Sequence, residues 1–205
     1  MPYRRHLVQL PVLLALLTLC LGAAPKEQAD PPCPKGTVQR ESSTETSGES
    51  ARWCEKPDGT RHGPASSSRR DPDTGEEEST KGEYKDGKRH GFWKVETHEG
   101  GESGHYANGV KEGSWTEWFL PEGVGQGHYR DGQKHGIWTW WFDNGRTLKA
   151  AEIPYRNGVM HGRRTNYGPS IPPKYIDYKD GKEVAAWDAD GKRMHDRSTA
   201  PEMKP

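Results

Sequence analysis

Beyond its first two dozen residues, the chain alternates apolar and polar positions with a period of two, in short runs broken by glycine turns. In DGQKHGIWTWWFDNGRT (131–147), Trp138, Trp140 and Phe142 share one parity, so on a strand they face the same way. Asn144-Gly145 turns the chain, and Ile153 and Tyr155 again share one parity on the return. The phrase recurs as DGTRHGP from 58, DGKRHGFW from 86, NGVKEGSW from 108, NGVMHGRR from 157 and DGKEVAAW from 180. Successive starts are 28, 22, 23, 26 and 23 residues apart. Trp93, Trp115, Trp138 and Trp187 each stand seven positions after the Asp or Asn, and Tyr84, Tyr106, Tyr129, Tyr155 and Tyr178 close a second linked phrase. Asp-Gly and Asn-Gly suit tight turns because these residues accept positive φ. The pattern predicts an all-β chain, an elongated antiparallel sheet of five to six repeated β-hairpins over residues 53–194. A lone hairpin is marginal, whereas stacked hairpins share a core.

Aliphatic residues are scattered singly after residue 25, so burial rests on aromatic rings, each able to bury roughly 150–250 Å². The predicted core is Trp93, Trp115, Trp138, Phe119 and Phe142 with Tyr84, Tyr106, Tyr129 and Tyr155. Gly104 and Gly127 precede Tyr106 and Tyr129 by two, leaving bare backbone where a neighbouring indole can lie. Adjacent aromatics cannot all face one core. Trp118 and Trp141, with Thr116 and Thr139 beside them, should face the other way and form a candidate partner-binding surface.

These repeats, GEYKDGKRHGFW (82–93), GHYANGVKEGSW (104–115) and GHYRDGQKHGIW (127–138), resemble the MORN repeat family in its bacterial variant form, including the antitoxin-like YwqK group. The resemblance covers about 54–194 and is strongest over 82–145. Outer units depart from the pattern: Ala65 and Arg164 stand where Trp belongs, and Val184-Ala185 where His-Gly belongs. Degraded outer units fit terminal capping repeats. The resemblance implies an open, twisted sheet of successive hairpins, and binding or scaffolding more than catalysis.

The ends read differently. Residues 1–24 have a basic start (Arg4, Arg5), an apolar run holding Pro11, and small residues Gly22, Ala23 and Ala24, the layout of a secretory signal peptide. A retained membrane anchor is the alternative, but the run is short for a span of about 20 residues. Cys20 invites lipoprotein anchoring, against which Leu19 occupies the position where a small residue is wanted. Residues 25–52 are expected to form a flexible, disordered polar leader. Residues 65–80 should form a charged hairpin tip or disordered insert, and 195–205 a disordered tail. The predicted location is periplasmic or extracellular, with no membrane contact after signal cleavage. Without Arg4 and Arg5 the chain carries 28 Lys+Arg against 30 Asp+Glu, a formal charge of −2. That balance gives no pull toward nucleic acid or an anionic membrane. Cys33 and Cys54 remain, and an oxidising compartment makes a disulfide the default, with a metal pair or two free thiols as alternatives.

Histidine is the remaining chemical temptation. His62, His90, His135 and His161 occupy one repeat position, and His105 and His128 another. Equivalent strands lie on the order of 10 Å apart, too far for a shared ion with ligands about 2 Å from it. Glu112 and Val184 also replace His at the first position, which favours a structural role at the turns. No cofactor, metal site or catalytic residue is predicted. Serines lie in the leader and the 65–80 insert, and most acids, such as Asp58, Asp86, Asp131, Asp143 and Asp180, lie at turns. The expected function is an exported, non-enzymatic scaffold that binds a protein partner through an aromatic sheet face. The alternatives are a cell-wall or glycan-binding module, and an antitoxin or immunity-like protein.

Overall fold

The computed structural model of the chain describes residues 31–44, 48–71, 74–119, 123–168 and 173–196. The predicted signal peptide with Cys20, and residues 197–205, lie outside them. The described residues form fifteen strands: β1 Val38–Thr44, β2 Glu49–Glu55, β3 Arg61–Arg70, β4 Glu77–Lys85, β5 Lys88–Thr97, β6 Gly100–Ala107, β7 Val110–Phe119, β8 Gly123–Arg130, β9 Gln133–Trp141, β10 Lys149–Arg156, β11 Val159–Met160, β12 Gly162–Asn166, β13 Tyr175–Lys179, β14 Lys182–Trp187 and β15 Arg193–Asp196. They make one antiparallel sheet in chain order, with the short β11 pairing only with β10. The ladder never returns to β1, so the sheet is open.

The turn residues explain the regularity. Asp86, Asn108, Asp131, Asn157 and Asp180 have φ between 49° and 52°, and each is followed by a positive-φ glycine. Two successive positive-φ residues make the primed turn whose twist matches the flanking strands. The turns also join one another. The turn glycine N–H donates to a carbonyl of the preceding unit: Gly109 to Arg89, Gly132 to Lys111, Gly158 to Lys134 and Gly181 to Met160, at 2.7–3.0 Å. The repeated His assists at two turns, where His62 Nδ1 lies 3.3 Å from Asp86 N and His161 Nδ1 3.3 Å from Asp180 N. Glu112 does the same for Asp131 N at 2.8 Å. An acceptor is what that position supplies, and Glu112 supplies one as His62 and His161 do.

The glycine of each His-Gly pair has a second role. Gly91, Gly113 and Gly136 have φ of 64–71°, and the facing registers shift between Lys81 and Glu83, Gly104 and His105, and Gln126 and His128. These are β-bulges with glycine in the left-handed region. Carbonyls at the bulge accept from indole N–H groups: Trp93 donates to Glu83 and His90, Trp115 to His105 and Glu112, and Trp138 to His128. The indoles then lie over Gly82, Gly104 and Gly127, where an added Cβ would approach them to within 2.4 Å.

Trp93, Trp115 and Trp138 are buried as expected. Edge-to-face rings link Tyr84, Trp93, Tyr106, Trp115, Tyr129 and Trp138 in order, with centroids 5.0–6.3 Å apart. Tyr84, Tyr106 and Tyr129, and Tyr155 outside that ladder, are half-buried. Phe119 and Phe142 correct the prediction. Both share the tryptophan face but remain 46% exposed, because Phe119 ends β7 and Phe142 follows the end of β9, away from the stacked turns.

The sheet also exceeds its predicted limits. Residues 38–44 and 49–52, read as flexible leader, are strands. Every β1 side chain is exposed, so no hydrophobic alternation marked it. It is held instead by its ladder to β2, by Arg40–Glu55 and Arg52–Glu41 ion pairs, and by the Cys33–Cys54 disulfide, whose Cα atoms are 5.6 Å apart. The 65–80 segment is a hairpin whose strands continue to Arg70 and resume at Glu77. At the other end β15 extends over 195–196, the start of the predicted disordered tail, pairing with β14 because that edge offered free backbone groups.

Candidate functional site

Two faces of the central strands hold the predicted site residues. On the face opposite the core tryptophans, the register lines up Gly101, Trp118, Val124 and Trp141 across β6 to β9. Trp118 lies over Gly101, where a Cβ would come within 2.5 Å of its ring. Trp118 and Trp141 are therefore half-buried on either side of a buried Val124, rather than an exposed pair. Arg146 covers part of this face, its guanidinium 5.9 Å from the Trp141 ring. With its carbonyl turned toward them, the Gln126 amide accepts from Arg146 and, at 3.1 Å, from Thr116. Thr139 stands across from Gln126, so both predicted threonines join one polar row. The Arg146 loop is fixed by Asp143, which accepts from the N–H groups of Thr147 and Leu148. Those donors, the Leu148 N–H foremost, hold its carboxyl below the usual carboxylate range.

The tryptophan face carries a feature the sequence reading passed over. A cation lies above each pair of rings: Arg89 over Trp93 and Tyr106, Lys111 over Trp115 and Tyr129, and Lys134 over Trp138 and Tyr155, at 4.1–5.7 Å. Arg61 does the same for Trp53 and Tyr84. The signal was present in the sequence, since Arg61, Arg89, Lys111 and Lys134 each stand three residues after the turn Asp or Asn. Such contacts stabilise by about 0.5–2 kcal/mol each. Two carboxylates answer them. Glu102 and Glu117 face one another across β6 and β7, Lys111 pairs with Glu102, and Lys134 Nζ lies 2.7 Å from the buried Glu117. Tyr129 donates to Glu117 at 2.7 Å. Burial, and then this bond to a carboxylate, push the Tyr129 phenol far up.

Toward the strand ends, past Trp138, the face opens, although Lys134 also reaches over the Trp140 ring at 5.4 Å. Phe119 stacks on Trp140 with centroids 6.1 Å apart, and Trp140 on Trp138 at 6.3 Å. Phe119, Trp140, Phe142 and Ile153 surround a hollow of about 330 Å³, whose polar side is Arg164 and Asn166. The sequence named Phe119 and Phe142 as core, so their open setting needed the structure.

One cluster among the described residues has metal-ligand chemistry: atoms of Asp71, Glu78 and His98 lie within 4.8 Å of one another. Its ligand atoms are already engaged. Glu78 accepts from Arg69 at 2.7 Å and meets His98 Nδ1 at 3.2 Å, and Asp71 accepts from Thr74. Comparison with known protein families and with characterised proteins finds no match.

Proposed function

We propose that the chain is a non-enzymatic repeat scaffold that binds a protein partner through an aromatic sheet face, centred on Phe119, Trp140 and Phe142. The observation that carries this reading is the exposure of two phenylalanines beside a stacked Trp140, at the strand ends flanking a cation-capped ring ladder. Clustered exposed aromatics mark contact sites, and interfaces are rich in Trp, Tyr and Arg. Elsewhere on that face Glu102 and Glu117 are each paired with a lysine. The MORN resemblance points the same way, toward binding. The disulfide is compatible with an oxidising compartment. Together with the signal-like residues 1–24 it supports export.

The test is capture from envelope and secreted extract on immobilised, disulfide-intact chain starting at residue 25. A single protein retained near equal stoichiometry is expected, lost with Phe119→Ala/Phe142→Ala and kept with Trp118→Ala/Trp141→Ala. Loss with the tryptophan pair alone would move the interface to the opposite face. Retention of glycan alone, released by free sugar, would replace the protein-binding reading with a cell-wall one.

A further inference from the structure

Arg164 breaks the repeat. It stands where Trp93, Trp115 and Trp138 stand in the units before it. The facing position changes with it, since Ile153 takes the place of Gly82, Gly104 and Gly127. A bare glycine lets an indole lie flat on the neighbouring strand, whereas a branched side chain fills that space. The fifth unit thus exchanges an indole for a guanidinium at the rim of the aromatic hollow.

That guanidinium is held in place. Its Nε donates to Asn166 Oδ1 at 2.9 Å, and Asn166 Nδ2 donates to Pro173 O at 2.7 Å. Asn166 is only 3% exposed, so a buried amide has both ends committed to orienting one arginine. Among the described residues no carboxylate pairs with Arg164, and its terminal nitrogens have no acceptor. Trp140, on the same hollow, buries an indole N–H that also lacks a partner. Buried donors ordinarily find acceptors. The hollow therefore offers apolar ring surface and a positive charge with the free donors of the Arg164 guanidinium, and no carboxylate stands among its lining residues.

We infer that this hollow is a carboxylate-reading cradle for an acidic peptide segment, in which an apolar side chain packs on Phe119, Trp140 and Phe142 and a neighbouring Asp or Glu carboxylate pairs with Arg164. The inference deepens the proposed protein-binding reading and rests on it for the class of partner. Guanidinium and carboxylate match in a two-bond fork, which makes Arg rather than Lys the apt residue. A sugar fits less well, because its hydroxyls also need acceptors and the Asn166 oxygen is already taken.

The test is tryptophan fluorescence of the full disulfide-bonded chain, titrated with the blocked peptide Ac-Gly-Phe-Asp-Gly-NH2 and its neutral counterpart Ac-Gly-Phe-Asn-Gly-NH2. The acidic peptide should bind saturably and about tenfold tighter than the amide, the scale of one charge-assisted bond. Arg164→Gln should erase that preference, and Arg164→Lys should keep part of it. Equal binding of the two peptides to the unaltered chain, which needs no variant to fold, would overturn the cradle. So would a preference that survives in Arg164→Gln, or tighter binding of glucuronate than of the peptide. If the acidic peptide binds but no partner is captured from extract, the cradle stands and the scaffold reading fails. If a partner is captured equally by Arg164→Gln, the scaffold reading stands and the cradle fails.

Discussion

At the residue scale the molecule rests on an ordered exchange between rings, cations and carboxylates. Lys134 lies over Trp138 and also neutralises Glu117, which is buried. Removing the cation leaves that carboxylate uncompensated. Lys134→Met should therefore cost about 3 kcal/mol in denaturant unfolding. Adding Glu117→Gln should restore a good part of the loss, and a double variant as unstable as the two single effects added would refute the coupling. Tyr129 gives a pH dependence. The folded chain holds its phenol proton more tightly than the unfolded chain, because of burial and the Glu117 carboxylate. Its contribution is fully present below the unfolded phenol's pKa of about 10 and is lost as pH rises above it. Unfolding free energies measured between pH 8 and 11 should fall more steeply in the unaltered chain than in Tyr129→Phe. Equal slopes would show that the phenol plays no part.

At the scale of elements, each hairpin is set by its turn and its bulge. Both were written in the repeat as Asp/Asn-Gly and His-Gly. What the repeat did not show was β1. Its residues 38–44 carry no apolar stripe, so their strand state depends on the β2 ladder and on the tether through Cys33. The bridge spans a sequence separation of 21. Cys33→Ser/Cys54→Ser should cost about 3 kcal/mol, the value for a loop of that size. Amide exchange in β1 should rise selectively in that variant. Unchanged protection there would mean the ladder alone holds the strand.

At the scale of the whole sheet, each strand meets only its neighbours, so stability spreads from repeat to repeat. The indoles with the deepest burial are in β5, β7 and β9, while β1 is exposed along its length. Native-state hydrogen exchange should show greatest protection in β5–β9, with opening from β1–β2 and from β14–β15 at much lower free energy. Uniform protection along the chain would refute that gradient. The open sheet also explains why the exposed aromatics gather where they do. Among the described residues no second layer covers Phe119 and Phe142, and beyond them the Trp register passes to Arg164.

The sequence by itself determined the hairpins, the turn type and the three buried tryptophans, because each depends on residues close in the chain: a turn pair, a period of two, a glycine beside an indole. It also carried the Cys33–Cys54 pair, since no other thiol remains beyond the signal-like segment. The tertiary structure alone decided how far the sheet extends, which aromatics stay open and what holds Arg164. Those outcomes depend on which strand end is covered by a neighbour and which is not. Phe119 and Phe142 have the parity of core residues, yet parity assigns a face and says nothing of what lies above it. Trp118 and Trp141 have the parity of surface residues, and Gly101 and Arg146 half-cover them. Arg164 departs from the repeat in sequence, and only the fold brings Asn166, two residues on, to hold it at the hollow.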